Sequence, residues 1–304
     1  MESMNVTILG CNSALPVIDR FQTSQIVHFR EKMFMIDCGE GAQIRMRQLK
    51  LKATRLNHIF ISHLHGDHVF GLIGLISSLG MTGRTADLVI HAHPDLEKLL
   101  QPQIDYYCTD MNYKVVFESF DPRKHALIYE DRSLRVTSIP LKHRVPTSGF
   151  LFEEKEKPNH IIREMIDLYH IPLREIPHIQ HGADFITEDG IVIPNTQLTR
   201  TSLPPKKYAY CSDTAYSKRI TPWIEGADVL YHEATFLHAD ILRAKTTGHS
   251  SAFQAAEIAR DAHVRQLIIG HYSARYAQIE DLLQEAKSIF PNTQLAYDGL
   301  NIQI

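Results

Sequence analysis

The sequence predicts an α+β fold in which mixed β-sheet alternates with helices, and three observations carry that prediction. Short runs rich in β-branched and aromatic residues recur along the 304 residues, separated by Gly, Asn, Ser and Pro. Three such runs precede the first helical segment, so β-hairpin material opens the chain. A further apolar run, Ile59-Phe60-Ile61, leads through Ser62 into His63-Leu64-His65-Gly66-Asp67-His68, placing three imidazoles and a carboxylate within six residues at a strand end. With 44% hydrophobic residues, a chain of this length can bury a full core.

In chain order, residues 6–9, 25–29 and 32–38 read as strands. Gly39 and Gly41 then lead into a short helix over 42–49, followed by the strand that delivers the histidine cluster, with Gly66 marking a tight loop beyond its end. Residues 71–80 form an apolar helix, 88–90 a strand, and 94–107 a helix with Pro94 at its start. Strand character returns at 115–117, 126–129, 134–139 and 148–152. Over residues 153–203 the rhythm fails. That segment is polar, holds His160, His170, His178 and His181 and several prolines, and has one amphipathic piece at 161–169. So long an interruption is expected to be a protruding, functional arm inserted into a single domain spanning 1–304. Strands at 207–211, 229–232 and 266–269, helices at 250–263 and 276–290, and strand residues over 293–304 complete the chain, which has no internal repeat.

A net charge of −3 argues against broad electrostatic wrapping of nucleic acid, so any such partner must be held by local basic patches. Cys11, Cys38, Cys108 and Cys211 have no paired spacing and fit reduced thiols, Cys38 and Cys211 as core fillers. The N-terminus lacks a charged segment followed by a long apolar run. The longest apolar stretch, 69–81, is interrupted and too short to span a bilayer. A soluble, cytoplasmic protein with no membrane partner is the expectation.

Imidazole and carboxylate suit zinc or manganese, and no thiolate lies nearby to suggest a structural finger, so the cluster reads as a catalytic metal loop. The bland alternative is a His-rich surface loop, but solvated histidines rarely follow a buried strand so closely. One loop cannot fill two metal shells. Three candidates follow later strands: His143 after 134–139, Asp213 after 208–211 and His271 after 267–269. Each alone has a bland reading, as surface polar residue, turn or helix cap, and helix-start residue respectively. Their shared placement favours ligands.

These residues resemble the metallo-β-lactamase superfamily, and within it ribonuclease Z, the endonuclease of tRNA 3′ ends. The loop from His63 to His68 matches the superfamily signature. His232-Glu233-Ala234-Thr235, Gly248-His249-Ser250-Ser251 and His271-Tyr272-Ser273-Ala274-Arg275-Tyr276 resemble the narrower ribonuclease Z motifs in the same order. The resemblance implies an αββα sandwich, two mixed sheets packed face to face with helices outside, and an arm. It implies two zinc ions per subunit, with manganese as an alternative, one held by His63, His65 and His143, the other by Asp67, His68 and His271, with Asp213 bridging. Asp67 would be the general base and His249 the acid that protonates the leaving oxygen, oriented by Glu233. Ser273 and Arg275 would contact substrate phosphate, and His232 would be structural.

The implied reaction cuts precursor tRNA to leave a 3′-hydroxyl on the tRNA and a 5′-phosphate on the trailer, in a homodimer whose arm serves the neighbouring subunit's active site. The arm departs from the family pattern: Arg174-Glu175 stands where Gly-Pro is common, and Lys is sparse. The runner-up function is a general phosphodiesterase of the same fold acting on small phosphate esters. A catalytically dead RNA-binding module would be expected to lack one of the seven ligand candidates, and none is missing.

Overall fold

The first four strands are β1 (Met4–Gly10), β2 (Ser24–Phe29), β3 (Lys32–Cys38) and β4 (Leu56–Phe60), with helix α1 (Ala42–Gln48) between the third and fourth. The structure, a computed structural model, describes residues 4–304; residues 1–3, part of the expected domain and of the segment read for a leader, lie outside the described residues. Two short helices, α2 (Gly66–Val69) and α3 (Leu72–Met81), separate β4 from β5 (Leu88–Ala92), and α4 (Asp95–Tyr107) precedes β6 (Val115–Ser119). Next come β7 (Leu127–Glu130), β8 (Leu134–Leu141) and β9 (Thr147–Glu154).

The chain divides into two compact units, the smaller formed by Arg132–Leu134 and Glu154–Pro205. In that unit β10 (His160–Ile161), α5 (Arg163–Leu168), α6 (Ile176–Gln180), β11 (Phe185–Ile186), β12 (Val192–Ile193), α7 (Asn195–Leu198) and β13 (Thr199–Arg200) follow in order. β10 pairs with β13 and β11 with β12, both antiparallel. Ile171, Ile179, Phe185, Ile193 and Leu198 give the unit its own small apolar core. Strands of two residues have too little alternation to be read from sequence, which is why only the amphipathic stretch before Tyr169 stood out there.

The larger unit resumes with β14 (Lys207–Cys211), α8 (Thr221–Ile224), β15 (Val229–Glu233), α9 (Ile241–Thr247), α10 (Ala252–Asp261) and β16 (Gln266–Gly270). It closes with α11 (Glu280–Lys287), β17 (Thr293–Leu295) and β18 (Asn301–Gln303). Its two seven-stranded sheets run β18-β1-β2-β3-β4-β5-β6 and β17-β16-β15-β14-β9-β8-β7. Both are mixed: β3 through β6 pair in parallel, as do β14 through β17, while the flanking hairpins are antiparallel.

One sequence expectation is refined here and one is corrected. Residues 293–304 form two strands in different sheets, because the chain turns through Gly299 at φ 94, a left-handed conformation that favours glycine. The expected helix over 276–290 begins only at Glu280.

The inner faces of the sheets meet through rings. Phe34 of β3 packs edge-on to Phe152 of β9 at 6.0 Å, and Phe60 of β4 lies 5.6 Å from Phe150. Such pairs add about 0.5–1.5 kcal/mol each beyond the area they bury. On the outer face of the first sheet, Leu72, Leu75, Ile76 and Leu79 recur at helical spacing along α3 and pack into the core with Ile59 and Ile90. These layers fix the strand ends from which the site is built. No helix among the described residues is long and apolar enough to cross a membrane.

Candidate metal centre and active site

The loop after β4 places its ligands in two directions because its backbone changes conformation midway. His65 is extended, at φ −70 and ψ 149, whereas Gly66 opens the short helix α2, which carries Asp67 and His68. The tight loop expected around Gly66 is therefore a helix start. A Cβ at Gly66 would lie 2.2 Å from the ring of Phe70, so a larger residue there requires that exposed side chain to move.

His63, His65, His143 and Asp213 offer ligand atoms that all lie within 4.8 Å of one another, and so do Asp67, His68 and His271. Asp213 faces both groups. Its Oδ1 is 3.9 Å from Nε2 of His63 and 3.9 Å from Nε2 of His143, and its Oδ2 is 3.1 Å from Nε2 of His68 and 3.2 Å from Nε2 of His271. Ligands about 2.0–2.1 Å from a tetrahedral cation lie about 3.3 Å apart, so these separations suit divalent cations.

Tautomers supply an independent test of fit. Asp37 Oδ2 can only accept at 2.7 Å from His68 Nδ1, and the Gly248 carbonyl only accepts at 2.8 Å from His143 Nδ1. Ser62 Oγ donates to Asp37 and so accepts from His63 Nδ1 at 3.0 Å; Thr235 Oγ1 donates to Glu233 and accepts from His271 Nδ1 at 3.0 Å. All four rings thus carry their proton on Nδ1 and present Nε2 inward. Among the described residues, Nε2 of His68, His143 and His271 is buried with no hydrogen-bond partner, an arrangement costing about 1–3 kcal/mol per group unless a cation satisfies it. His65 presents Nδ1 instead, 2.9 Å from Nε2 of His63.

Electrostatics agree. Burial, followed by the neighbouring imidazoles, holds His63 well below the usual histidine range, and burial likewise lowers His65 and His143. Burial alone would raise the Asp213 carboxyl, but His271, His68 and His63 hold it well below the carboxylate range. For His68, burial opposes charge, yet Asp37, Asp213 and Asp67 together hold it well above the usual range. The carboxylates draw positive charge into the cage, the role a divalent cation takes when bound.

Beside this cage His249 Nδ1 lies 2.9 Å from Glu233 Oε1. Two local devices set its place: Gly248 turns the chain at φ 78 to end α9, and Ser251 starts α10 with a reciprocal capping box to Gln254. Glu233 is fully buried and also accepts from Thr214 N–H at 2.7 Å and Ser250 N–H at 3.1 Å. Burial disfavours the His249 imidazolium, but Glu233, with help from Asp213, outweighs it and pushes the ring up to about 9.

Curated relatives decide the family. Ribonuclease Z of Phocaeicola vulgatus is 60% identical over 304 residues, covering 100% of this chain and 98% of that protein. Ribonuclease Z of Bacteroides fragilis is 56% identical and covers 100% of both. The chain belongs to the ribonuclease Z family. A family model described as anti-Pycsar protein Apyc1 matches residues 4–156, a span that holds the His63–His68 loop and His143 but stops short of Asp213, Glu233, His249 and His271. The crystal structure of human tRNase Z, short form, aligns with a TM-score of 0.71 over 98% of each chain at 23% identity, a likeness of the metallo-β-lactamase fold.

Within this ribonuclease Z frame, the structure gathers His63, His65, Asp67, His68, His143, Asp213, His271, Glu233 and His249. Ser273 and Arg275 make no hydrogen bond to any of them. Ser273 N–H donates to Thr235 O at 3.3 Å, while Arg275 pairs with Asp240 at 3.4 Å and lies over the Phe236 ring. His232 is buried, with Nδ1 2.7 Å from Glu233 O, as a strand residue should be.

Sequence reasoning missed Asp37 and gave Thr235, though part of a quoted motif, no role. Asp37 is fully buried at φ 54 and also accepts from Ser62 N–H and Tyr210 OH, each at 2.7 Å. Asp213 and His271 share its left-handed backbone, at φ 58 and 59. Such conformations cost roughly 1–2 kcal/mol for non-glycine residues and concentrate at functional sites. A lone Asp ending the apolar run Met33-Phe34-Met35-Ile36 was the available signal, since a charge there demands partners.

Proposed function

We propose that this chain is a zinc-dependent endoribonuclease that removes the 3′ trailer from precursor tRNA, leaving a 3′-hydroxyl tRNA and a 5′-phosphate trailer. Asp213 straddling two ligand groups beside a carboxylate-held His249 carries the reading, together with family membership. One cation would be held by His63, His65 and His143, the second by Asp67, His68 and His271, with Asp213 shared. When bound, two zinc ions polarise the phosphodiester and lower the pKa of water; manganese suits the same donors.

The chain's own residues move the protons. Asp67, kept ionised because His68 and His271 outweigh its burial, takes a proton from the attacking water. The water oxygen joins phosphorus, the bond to the tRNA 3′-oxygen breaks, and the imidazolium of His249 gives that oxygen a proton from Nε2. Glu233 holds Nδ1 and keeps the ring charged near neutral pH. Ser273 and Arg275 contact phosphate once Arg275 is drawn from Asp240, its planar fork matching two phosphate oxygens.

On this reading the protein acts in the cytoplasm as a homodimer, its inserted segment at 153–203 serving as an exosite for the neighbouring subunit's substrate. Incubating metal-quantified protein with a precursor tRNA and with a small phosphodiester, with and without chelator, tests the reading. Chelator-sensitive cleavage after the discriminator base, lost on deletion of residues 155–200 while small-ester hydrolysis persists, is the expected result. Small-ester hydrolysis with no precursor cleavage would favour a general phosphodiesterase.

A further inference from the structure

An RNA substrate needs cations along its phosphates, and the inserted unit is poor in them. Residues 154–205 hold eight Asp and Glu against five Lys and Arg. A concave surface of that unit, about 900 Å³, is lined by Glu175, Asp184, Glu188 and Asp189 alongside Arg174 and His170. The charge balance of that unit therefore adds little electrostatic grip on phosphates, so cations elsewhere must supply it.

The opposite balance occurs at the end of α1. Residues 45–55 carry Arg45, Arg47, Lys50, Lys52 and Arg55 and no acid. Arg45 donates to Gln48 and to Leu9 O, and Arg55 pairs with Glu31 at 3.0 Å. Arg47, Lys50 and Lys52 are exposed, and among the described residues their side chains have no ion pair or hydrogen bond. A favourable helix dipole accounts for Arg47 in the last turn, but Lys50 and Lys52 lie beyond the helix. Lys50 moreover sits at φ 55, with its N–H bonded to Arg47 O at 3.1 Å, the helix-ending position where glycine is favoured. A lysine held there at a cost of roughly 1 kcal/mol calls for a role outside the fold.

We infer that Arg47, Lys50 and Lys52 form a phosphate-tracking surface for the double-stranded part of the RNA substrate, away from the metal cage. The surface leads into the start of β4, whose other end carries the metal loop, five residues and about 17 Å along the strand. Substrate held here would extend over the first sheet's outer layer to reach the cage. The inference rests on the nuclease reading for its substrate but not for its chemistry, since RNA binding is measurable without cleavage.

The test compares wild type with the triple variant Arg47→Gln, Lys50→Gln, Lys52→Gln. Binding of precursor tRNA is measured in chelator between 50 and 200 mM KCl, and metal-loaded hydrolysis of a small phosphodiester is measured alongside. Each phosphate contact removed lowers the slope of log K against log salt by about one. Three contacts make the variant's affinity loss across that salt range smaller by about 40-fold. Lys50→Gly alone should raise thermal stability while weakening binding.

A slope reduced by about three with small-ester rates unchanged supports the surface. An unchanged slope overturns it, and a fall in small-ester rate or melting temperature in the triple variant would assign these cations to the fold and overturn it too. If wild type binds a hairpin RNA with the expected salt dependence but never cleaves precursor tRNA, the nuclease reading fails and the surface stands.

Discussion

Replacing Asp37 with Asn removes charge while leaving backbone conformation intact, because Asn tolerates the left-handed region about as well as Asp. The carboxylate accepts from Ser62 N–H, Ser62 Oγ, Tyr210 OH and His68 Nδ1, at 2.7 to 2.8 Å. In Asp37→Asn the amide oxygen keeps the Ser62 N–H, and the two hydroxyls can turn to accept from the new NH₂. His68 Nδ1–H then faces a donor. One buried donor left unmet costs about 1–3 kcal/mol, and losing the partner that orients a ligating imidazole costs about 10–100-fold in metal affinity. Asp37→Ala leaves all four donors short and adds left-handed strain, so it should cost about 4–6 kcal/mol. Thermal unfolding in chelator reads the stability, and titration against a competing chelator reads each metal affinity. Wild-type affinity for both cations in Asp37→Asn would refute the orienting role and the tautomer argument with it.

Two further outcomes follow from the same contacts. In Glu233→Gln the imidazolium of His249 loses the carboxylate that raises it to about 9. The acid form is populated below that pKa and lost above it, so the alkaline limb of kcat/KM should move down by on the order of one unit or more; an unmoved limb would show that His249 is not the titrating acid. In Thr235→Val the acceptor for His271 Nδ1 disappears, so affinity should fall about tenfold at the Asp67, His68 and His271 group alone, as read by competitive titration. An equal loss at both groups would contradict the assignment of Thr235 to one of them.

Much of the frame was legible because its signals are local. The strands at Lys32–Cys38 and Lys207–Cys211 have the boundaries that their apolar runs and flanking breaks mark out. His143, Asp213 and His271 stood out for a related reason: a lone polar residue just past a buried strand must have a partner or a purpose. Asp37 and Thr235 escaped because their roles are not local. Tyr210, which donates to Asp37, lies 173 residues away, and His271, which Thr235 orients, lies 36 residues away. The divided C-terminal strands depend likewise on which sheet edge is open to each, a property of the assembled layers and not of residues 293–304.

Metal content per chain tests the central claim most directly, because Asp213 faces one ligand group through Oδ1 and the other through Oδ2. Measured after zinc loading and exhaustive desalting, the wild type should hold two ions, His143→Ala and His271→Ala one each, and Asp213→Ala less than one, with a folded state verified in each case. A wild type that saturates at one ion, or an Asp213→Ala chain that keeps two, would contradict the shared two-cation cage.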